Sequence, residues 1–166
     1  MSTRTVEAEL QDVIDRVTPM WLDVHDDEAS ERPRADAWSP KEIVGHLIDS
    51  AANNHRRFVE AQFVDHLVFP GYVQDAWVSA QRYQDRSWRS LVRLWHDYNA
   101  HLCHVIAAIP PAVRTRQRTR HSLHLIAWRA VPEREPVTLE YFMRDYVNHL
   151  EHHVSQVAAM LGSGGV

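Results

Sequence analysis

The chain has 166 residues, 45% of them apolar and 24% charged, with a formal net charge of −4. That length supports a single domain with a substantial core spanning residues 1–166. The acidic balance gives no basic field to attract nucleic acid, no apolar run reaches transmembrane length, and the lone Cys103 excludes an internal disulfide framework and suits a reducing cytoplasm.

The first residues, Met1 to Glu7, hold no apolar stretch of the signal-peptide kind, so none is expected. Five glycines against twelve histidines and six tryptophans point to long helices rather than many turns. The first helix is predicted over residues 3–24, where Val6, Leu10, Val13, Ile14, Val17 and Trp21 recur at helical spacing. Pro19 implies a kink or an early end. Residues 25–37 are a charged connection.

A second helix starts at Trp38-Ser39-Pro40-Lys41-Glu42. Ser39 is the N-cap, Pro40 the first helical residue, and Glu42 completes a capping box. The helix runs to about Val64, with Ile43, Val44, Leu47, Ile48, Ala51 and Phe58 as its apolar arc. The opposite stripe is Glu42, His46, Asp49, Asn53 and Arg57, all within ~60° of His46. By phase alone this stripe is a solvated face carrying one histidine, because it lies opposite the apolar arc. The competing reading makes it the polar wall of a cleft.

Phe69-Pro70-Gly71-Tyr72 marks a turn, and Tyr72 to Trp77 a short helix. A third long helix covers residues 87–108, with Leu91, Leu94, Trp95, Tyr98, Leu102, Val105 and Ile106 as its core stripe. Its histidines, His96, His101 and His104, share no tight face and read as surface or packing residues. Pro110-Pro111 stops it. In residues 112–137, Arg114, Arg116, Arg118 and Arg120 alternate, which predicts extended chain, a short hairpin or an ordered loop. The arginines suit either an anion site or a solvated edge, with the edge favoured. Thr138 then caps a fourth long helix that ends at Gly162-Ser-Gly-Gly. The prediction is an all-α, up-down-up-down four-helix bundle with a long connection between the third and fourth helices. In such a bundle the second and fourth helices can approach each other.

The fourth helix carries Asp145-Tyr-Val-Asn-His149-Leu-Glu-His152-His153-Val-Ser-Gln156. His149 and His153 sit one turn apart, about 6 Å along the axis, a spacing at which two imidazoles can hold one ion. His153 falls ~40° from His149, inside the edge of the apolar arc, whereas His152 lies about 60° away on the other side, turned from the core. Asp145 and Gln156 lie within ~40° of His149, and either can orient a ligand imidazole. Two ligands are too few for a tight site, and i,i+4 histidines also occur on solvated faces.

Three segments resemble one family. Trp38-Ser-Pro-Lys-Glu-Ile-Val-Gly-His46-Leu-Ile-Asp-Ser is similar to the second-helix motif of the DinB/YfiT-like superfamily of metal-dependent four-helix proteins. Asp145 to Gln156 is similar to its fourth-helix motif, and Tyr72-Val-Gln-Asp-Ala-Trp77 to a linker of the YfiT-like branch. The resemblance spans most of the chain in the right order. It implies an open site of three ligands, His46 with His149 and His153, and so reverses the phase reading of His46. Some thiol-transferase members have glutamate where this chain has His149, so the set implied here is all-histidine. The implied cofactor is one divalent transition metal ion, foremost Zn²⁺ or Ni²⁺, although imidazole also suits Co²⁺, Cu²⁺ and Fe²⁺. Characterised relatives include transferases and isomerases that use bacterial thiols such as bacillithiol or mycothiol, so a low-molecular-weight thiol is the implied cosubstrate.

Three functions follow as expectations. In the first, the protein conjugates the thiol to an electrophilic small molecule, with Asn53 and Arg57 contacting substrate. In the second it is a hydrolase using a metal-bound water, with Asp49 or Asp145 as proton acceptor. In the third it is a non-catalytic metal-binding or interaction module whose bundle forms a homodimer. The bland alternative is a bundle with an accidental histidine cluster.

Overall fold

The computed structural model of the protein describes residues 4–162. Four long helices form its body: α1 (Val6–Leu22), α3 (Pro40–Glu60), α5 (Trp88–Ala108) and α8 (Leu139–Gly162). Between them lie the shorter α2 (Asp26–Ser30), α4 (Gln74–Gln81), α6 (Pro111–Thr115) and α7 (Leu123–Ile126), and a 3₁₀ turn at Tyr83–Asp85. The Ser-Gly-Gly that follows Gly162 lies outside the described residues.

Local sequence explains the helix starts. Ser39 Oγ accepts from Glu42 N at 3.2 Å while Glu42 Oε2 accepts from Ser39 N at 2.9 Å, a complete capping box with Pro40 behind it. Thr5, Ser87 and Thr138 cap α1, α5 and α8 in the same manner, each hydroxyl accepting a backbone N–H three residues on. α1 passes through Pro19 and ends at Leu22, so the proline marks the end of the helix closely without cutting it.

The bundle's neighbours in space are not its neighbours in sequence. α1 packs on α5 and α8, and α3 packs on the same two helices. The order around the core is therefore α1, α5, α3, α8, and consecutive long helices α1 and α3 sit across from each other, as do α5 and α8. This order puts the second long helix beside the fourth. The α1–α5 seam is fixed by Trp21, whose ring lies 4.8 Å from Trp95 and 5.8 Å from Trp88, and whose carbonyl accepts from Trp88 Nε1. Asp26 on α2 accepts from buried Lys41 of α3 at 2.7 Å and from Trp88 N at the start of α5 at 2.7 Å. One carboxylate thus ties three elements together.

The long connection, residues 109–138, carries the two short helices α6 and α7 and, among the described residues, no hairpin. Its alternation corresponds to two isolated bridges, Leu67 with His121 and Arg118 with Val137. Three of its arginines are tied into the fold. Arg114 pairs with Glu7 at 3.1 Å and Glu140 at 2.7 Å, and Arg116 pairs with Asp65 at 2.9 Å. Arg118 is buried and donates to the carbonyls of Ala61 and Val113. The favoured solvated edge holds at Arg116 and Arg120, which are exposed, while Arg114 and Arg118 brace the connection against α1, α8 and the end of α3.

Candidate metal centre

His46 occupies the middle of α3 and is 0% exposed. Phase alone made its stripe a solvated face, and the structure overturns that. The apolar arc of α3 faces the bundle, but the 3₁₀ turn and the end of α4 cover Asp49, the rings of Trp38, His149 and His153 surround His46, and the Pro70 carbonyl and the Phe142 ring meet Arg57, so all three are buried. Gly45 makes the cover over Asp49 possible. A Cβ there would lie 2.1 Å from the Tyr83 ring, so only glycine lets that ring rest on the helix. The Tyr83 hydroxyl then donates to Asp49 Oδ1 at 2.6 Å, and Gln81 Nε2 donates to the same oxygen at 2.7 Å.

His149 and His153 on α8 meet His46 across the α3–α8 seam. His149 Nε2 lies 3.3 Å from His46 Nε2 and 3.1 Å from His153 Nε2. The three rings stand nearly edge to face, with centroids 4.6 to 5.2 Å apart. Gln156 Oε1 sits 2.9 Å from His153 Nδ1. With the proton on Nδ1, that contact leaves the Nε2 lone pair free toward the other two. Of the two orienting partners expected from phase, Gln156 therefore serves His153. Asp145 turns away and accepts from the backbone N–H of Trp128 at 2.8 Å and of Arg129 at 2.9 Å.

Burial pushes the His46 pKa down to about 4, with His153 adding to the shift, and that of His149 down to about 3, with both neighbouring imidazoles adding. Burial also lowers His153. All three are neutral near pH 7, the form that donates a lone pair to a metal. The donor set fits an ion. Nitrogens bound tetrahedrally at about 2.0–2.1 Å would lie roughly 3.3 Å from one another, and the two spacings above match that edge. The ligating atoms of all three residues lie within 4.8 Å of one another. His152 is exposed, packs on Trp128 with ring centroids 5.3 Å apart, and takes no part.

A cavity of about 290 Å³ opens beside His149. Ser50, Asn54, Arg57, Tyr72, Trp128 and Asp145 are among its lining residues. Asp49 and Asn53 are not. Asp49 is buried against Tyr83 and Gln81, and Asn53 turns its amide back to the Asp49 carbonyl at 2.9 Å. Asn54, not Asn53, faces the cavity. At ~80° from His46 it falls outside the polar stripe that phase defined. Trp128 comes from the connection whose path the sequence did not reveal.

Four long helices enclosing three converging imidazoles beside a cavity define a class: helical bundles with a three-nitrogen group that could hold a metal ion. The particular family follows from sequence, since a family model matches residues 9–157, and the chain belongs to the DinB superfamily. Its fold is similar to that of YfiT from Bacillus subtilis, described as a probable metal-dependent hydrolase with an unusual four-helix bundle topology. The TM-score is 0.75 at 19% identity, over 99% of this chain and 90% of that one. No curated protein matches the chain. Among the described residues no helix is long and apolar enough to cross a membrane.

Proposed function

We propose that the protein is a metal-dependent enzyme in which His46, His149 and His153 hold one divalent transition metal ion, Zn²⁺ or Ni²⁺. Its reaction, in this reading, transfers a low-molecular-weight thiol to an electrophilic small molecule. The observation that carries the reading is the convergence of three neutral Nε2 atoms next to a substrate-sized cavity. A bound ion would supply Lewis acidity, lowering the pKa of a thiol or water beside it. The chain's own part is to keep the three imidazoles deprotonated by burial, to fix His153 through Gln156, and to shield His46 with Trp38, whose ring lies 5.1 Å away. In the transfer itself the thiol proton leaves to solvent, a carbon–sulfur bond forms, and the leaving group departs with its electron pair. We place this chemistry in the cytoplasm, where such thiols are kept reduced.

Hydrolysis is the second reading, and the description of YfiT favours it. A hydrolase gains from a carboxylate free to take a proton. The two expected candidates are engaged elsewhere, Asp49 by Tyr83 and Gln81 and Asp145 by two backbone amides. Thiol transfer needs no such base once the thiol is ionised, which is why we rank it first.

Metal analysis of tag-free protein tests the site. About one equivalent of ion is expected in the parent and in His152→Ala, and none in His46→Ala, His149→Ala or His153→Ala. Metal-dependent conjugation of a thiol to a haloarene supports transfer, and ester or amide turnover without thiol supports hydrolysis. A parent that takes up neither Zn²⁺ nor Ni²⁺ overturns both.

A further inference from the structure

Some buried or partly buried cations in this fold are answered by carboxylates. Lys41 has Asp26, and Arg114 has Glu7 and Glu140. Arg57 is 6% exposed and has none. Its Nη2 donates to the Pro70 carbonyl at 2.7 Å and its Nη1 reaches Asn54 Oδ1 at 3.4 Å, both neutral acceptors. Its guanidinium carbon also lies 6.0 Å from the centre of the Phe142 ring. Arg118 is likewise buried with only carbonyl partners, but it is not among the residues lining the cavity that Arg57 faces. A guanidinium withdrawn from water recovers little of its hydration from two neutral oxygens, whereas a carboxylate would return two charge-assisted hydrogen bonds.

The surroundings specify the rest of the ligand. Ser50, Asn54 and Tyr72 give the Arg57 end of the cavity a polar wall. The lining carboxylate, Asp145, is held by two backbone N–H groups and forms no ion pair with Arg57. Leu125, 77% exposed, and Trp128, 41% exposed, give the cavity an apolar lip. His149 lines the same space.

We propose that Arg57 is the specificity-determining residue of this cavity and binds the carboxylate of an organic acid, whose apolar body lies against Leu125 and Trp128. The reacting end of that acid then faces the histidine cluster. This last step rests on the metal-enzyme reading above, but the carboxylate subsite does not.

The test is titration calorimetry with phenylacetate and its neutral counterpart phenylacetamide, on protein stripped with chelator and on protein reloaded with Zn²⁺. The wild type is expected to prefer the acid by about tenfold or more in both states. Arg57→Gln should lose that preference while keeping its metal content and a cooperative melting curve. If that variant does not fold, Arg57→Lys, which keeps the charge but not the paired donors, should show a reduced preference. Equal affinity for acid and amide overturns the proposal, as does the absence of saturable binding by either. So does a preference that survives in Arg57→Gln. A preference seen only with Zn²⁺ present assigns the carboxylate to the ion instead. If the protein takes up no metal yet prefers the acid, the metal-enzyme reading falls and the Arg57 subsite stands.

Discussion

Substituting Gly45 by alanine tests the cover that Tyr83 lays over α3. The new Cβ would meet three Tyr83 ring atoms at 2.1, 2.3 and 2.5 Å, and ordinary contact begins near 3.4 Å, so the ring must retreat by 3.4 − 2.1 = 1.3 Å. That movement strains a packed interior, a cost of about 1–3 kcal/mol. It also breaks the 2.6 Å bond from Tyr83 to Asp49, and a lost hydrogen bond to a buried charged group costs about 1.5–3 kcal/mol. Alanine's better helix propensity returns about 1 kcal/mol. The net is a loss of about 3 kcal/mol, or roughly 6–12 °C in melting temperature for a domain of this size. Urea unfolding followed by circular dichroism measures it. The decisive comparison is a double-mutant cycle: in a Tyr83→Ala background the same Gly45→Ala change should be neutral or stabilising. A Gly45→Ala protein as stable as the parent, or an equal loss in both backgrounds, would refute the placement of Tyr83 on α3.

Acid should destabilise the metal-free protein. His46 and His149 have folded pKa values near 4 and 3, below the ordinary 6.5, so under pH 6.5 the unfolded chain takes up protons that the fold refuses. Stability contributed by their neutral state is complete above that pH and drains away toward pH 4, by at most about 1.4 kcal/mol per pH unit per group. Asp49 and Asp145, whose pKa values burial raises, act in the opposite sense as they protonate. Comparing melting in chelator at about pH 7.5 and about pH 5 isolates the histidines, because the drop should shrink in His149→Ala; an unchanged drop argues that His149 is not buried as described. Arg114→Ala takes the shared guanidinium from the partly buried Glu7 and Glu140, the latter keeping Arg144, and should cost about 1 kcal/mol in urea unfolding without altering metal content; full stability would mean the brace between α1 and α8 is not formed.

The parts of the fold legible in sequence are those decided locally. The capping box at Ser39, the apolar stripe of α1 and the one-turn spacing of His149 and His153 need no knowledge of distant residues. His46 is different. A helical wheel assumes one wet face, and α3 has none around His46 because the Trp38, His149 and His153 rings close over it while Tyr83 covers the helix at Gly45 and Asp49. Only the resemblance of the Trp38–Ser50 segment pointed inward. Asn53 was expected at the cavity and Asn54 lines it instead, because the cavity opens at the edge of the polar stripe rather than at its centre. The bracing half of the arginine run is invisible in sequence because its partners lie far away in the chain, Arg114 meeting Glu7 and Arg118 meeting Ala61.

The site also divides its labour between two kinds of backbone. The three histidines stand on α3 and α8, long helices packed along their length, where side-chain positions are set by regular geometry. The facing wall, Leu125 to Trp128, belongs to a connection held by a few specific bonds. Ser122 joins it to Leu67 and Phe69, and Asp145 clasps the amides of Trp128 and Arg129. Asp145 lies one helical turn before His149 on the same face, so the residue that anchors the wall is placed by the helix that places the ligand. The width of the cavity between His149 and Trp128 is therefore set by α8 itself. Changes at Leu125 or Ile126 can alter what the cavity accepts without moving a nitrogen of the cluster, whereas loss of Asp145 would release the wall and leave the three imidazoles where they are.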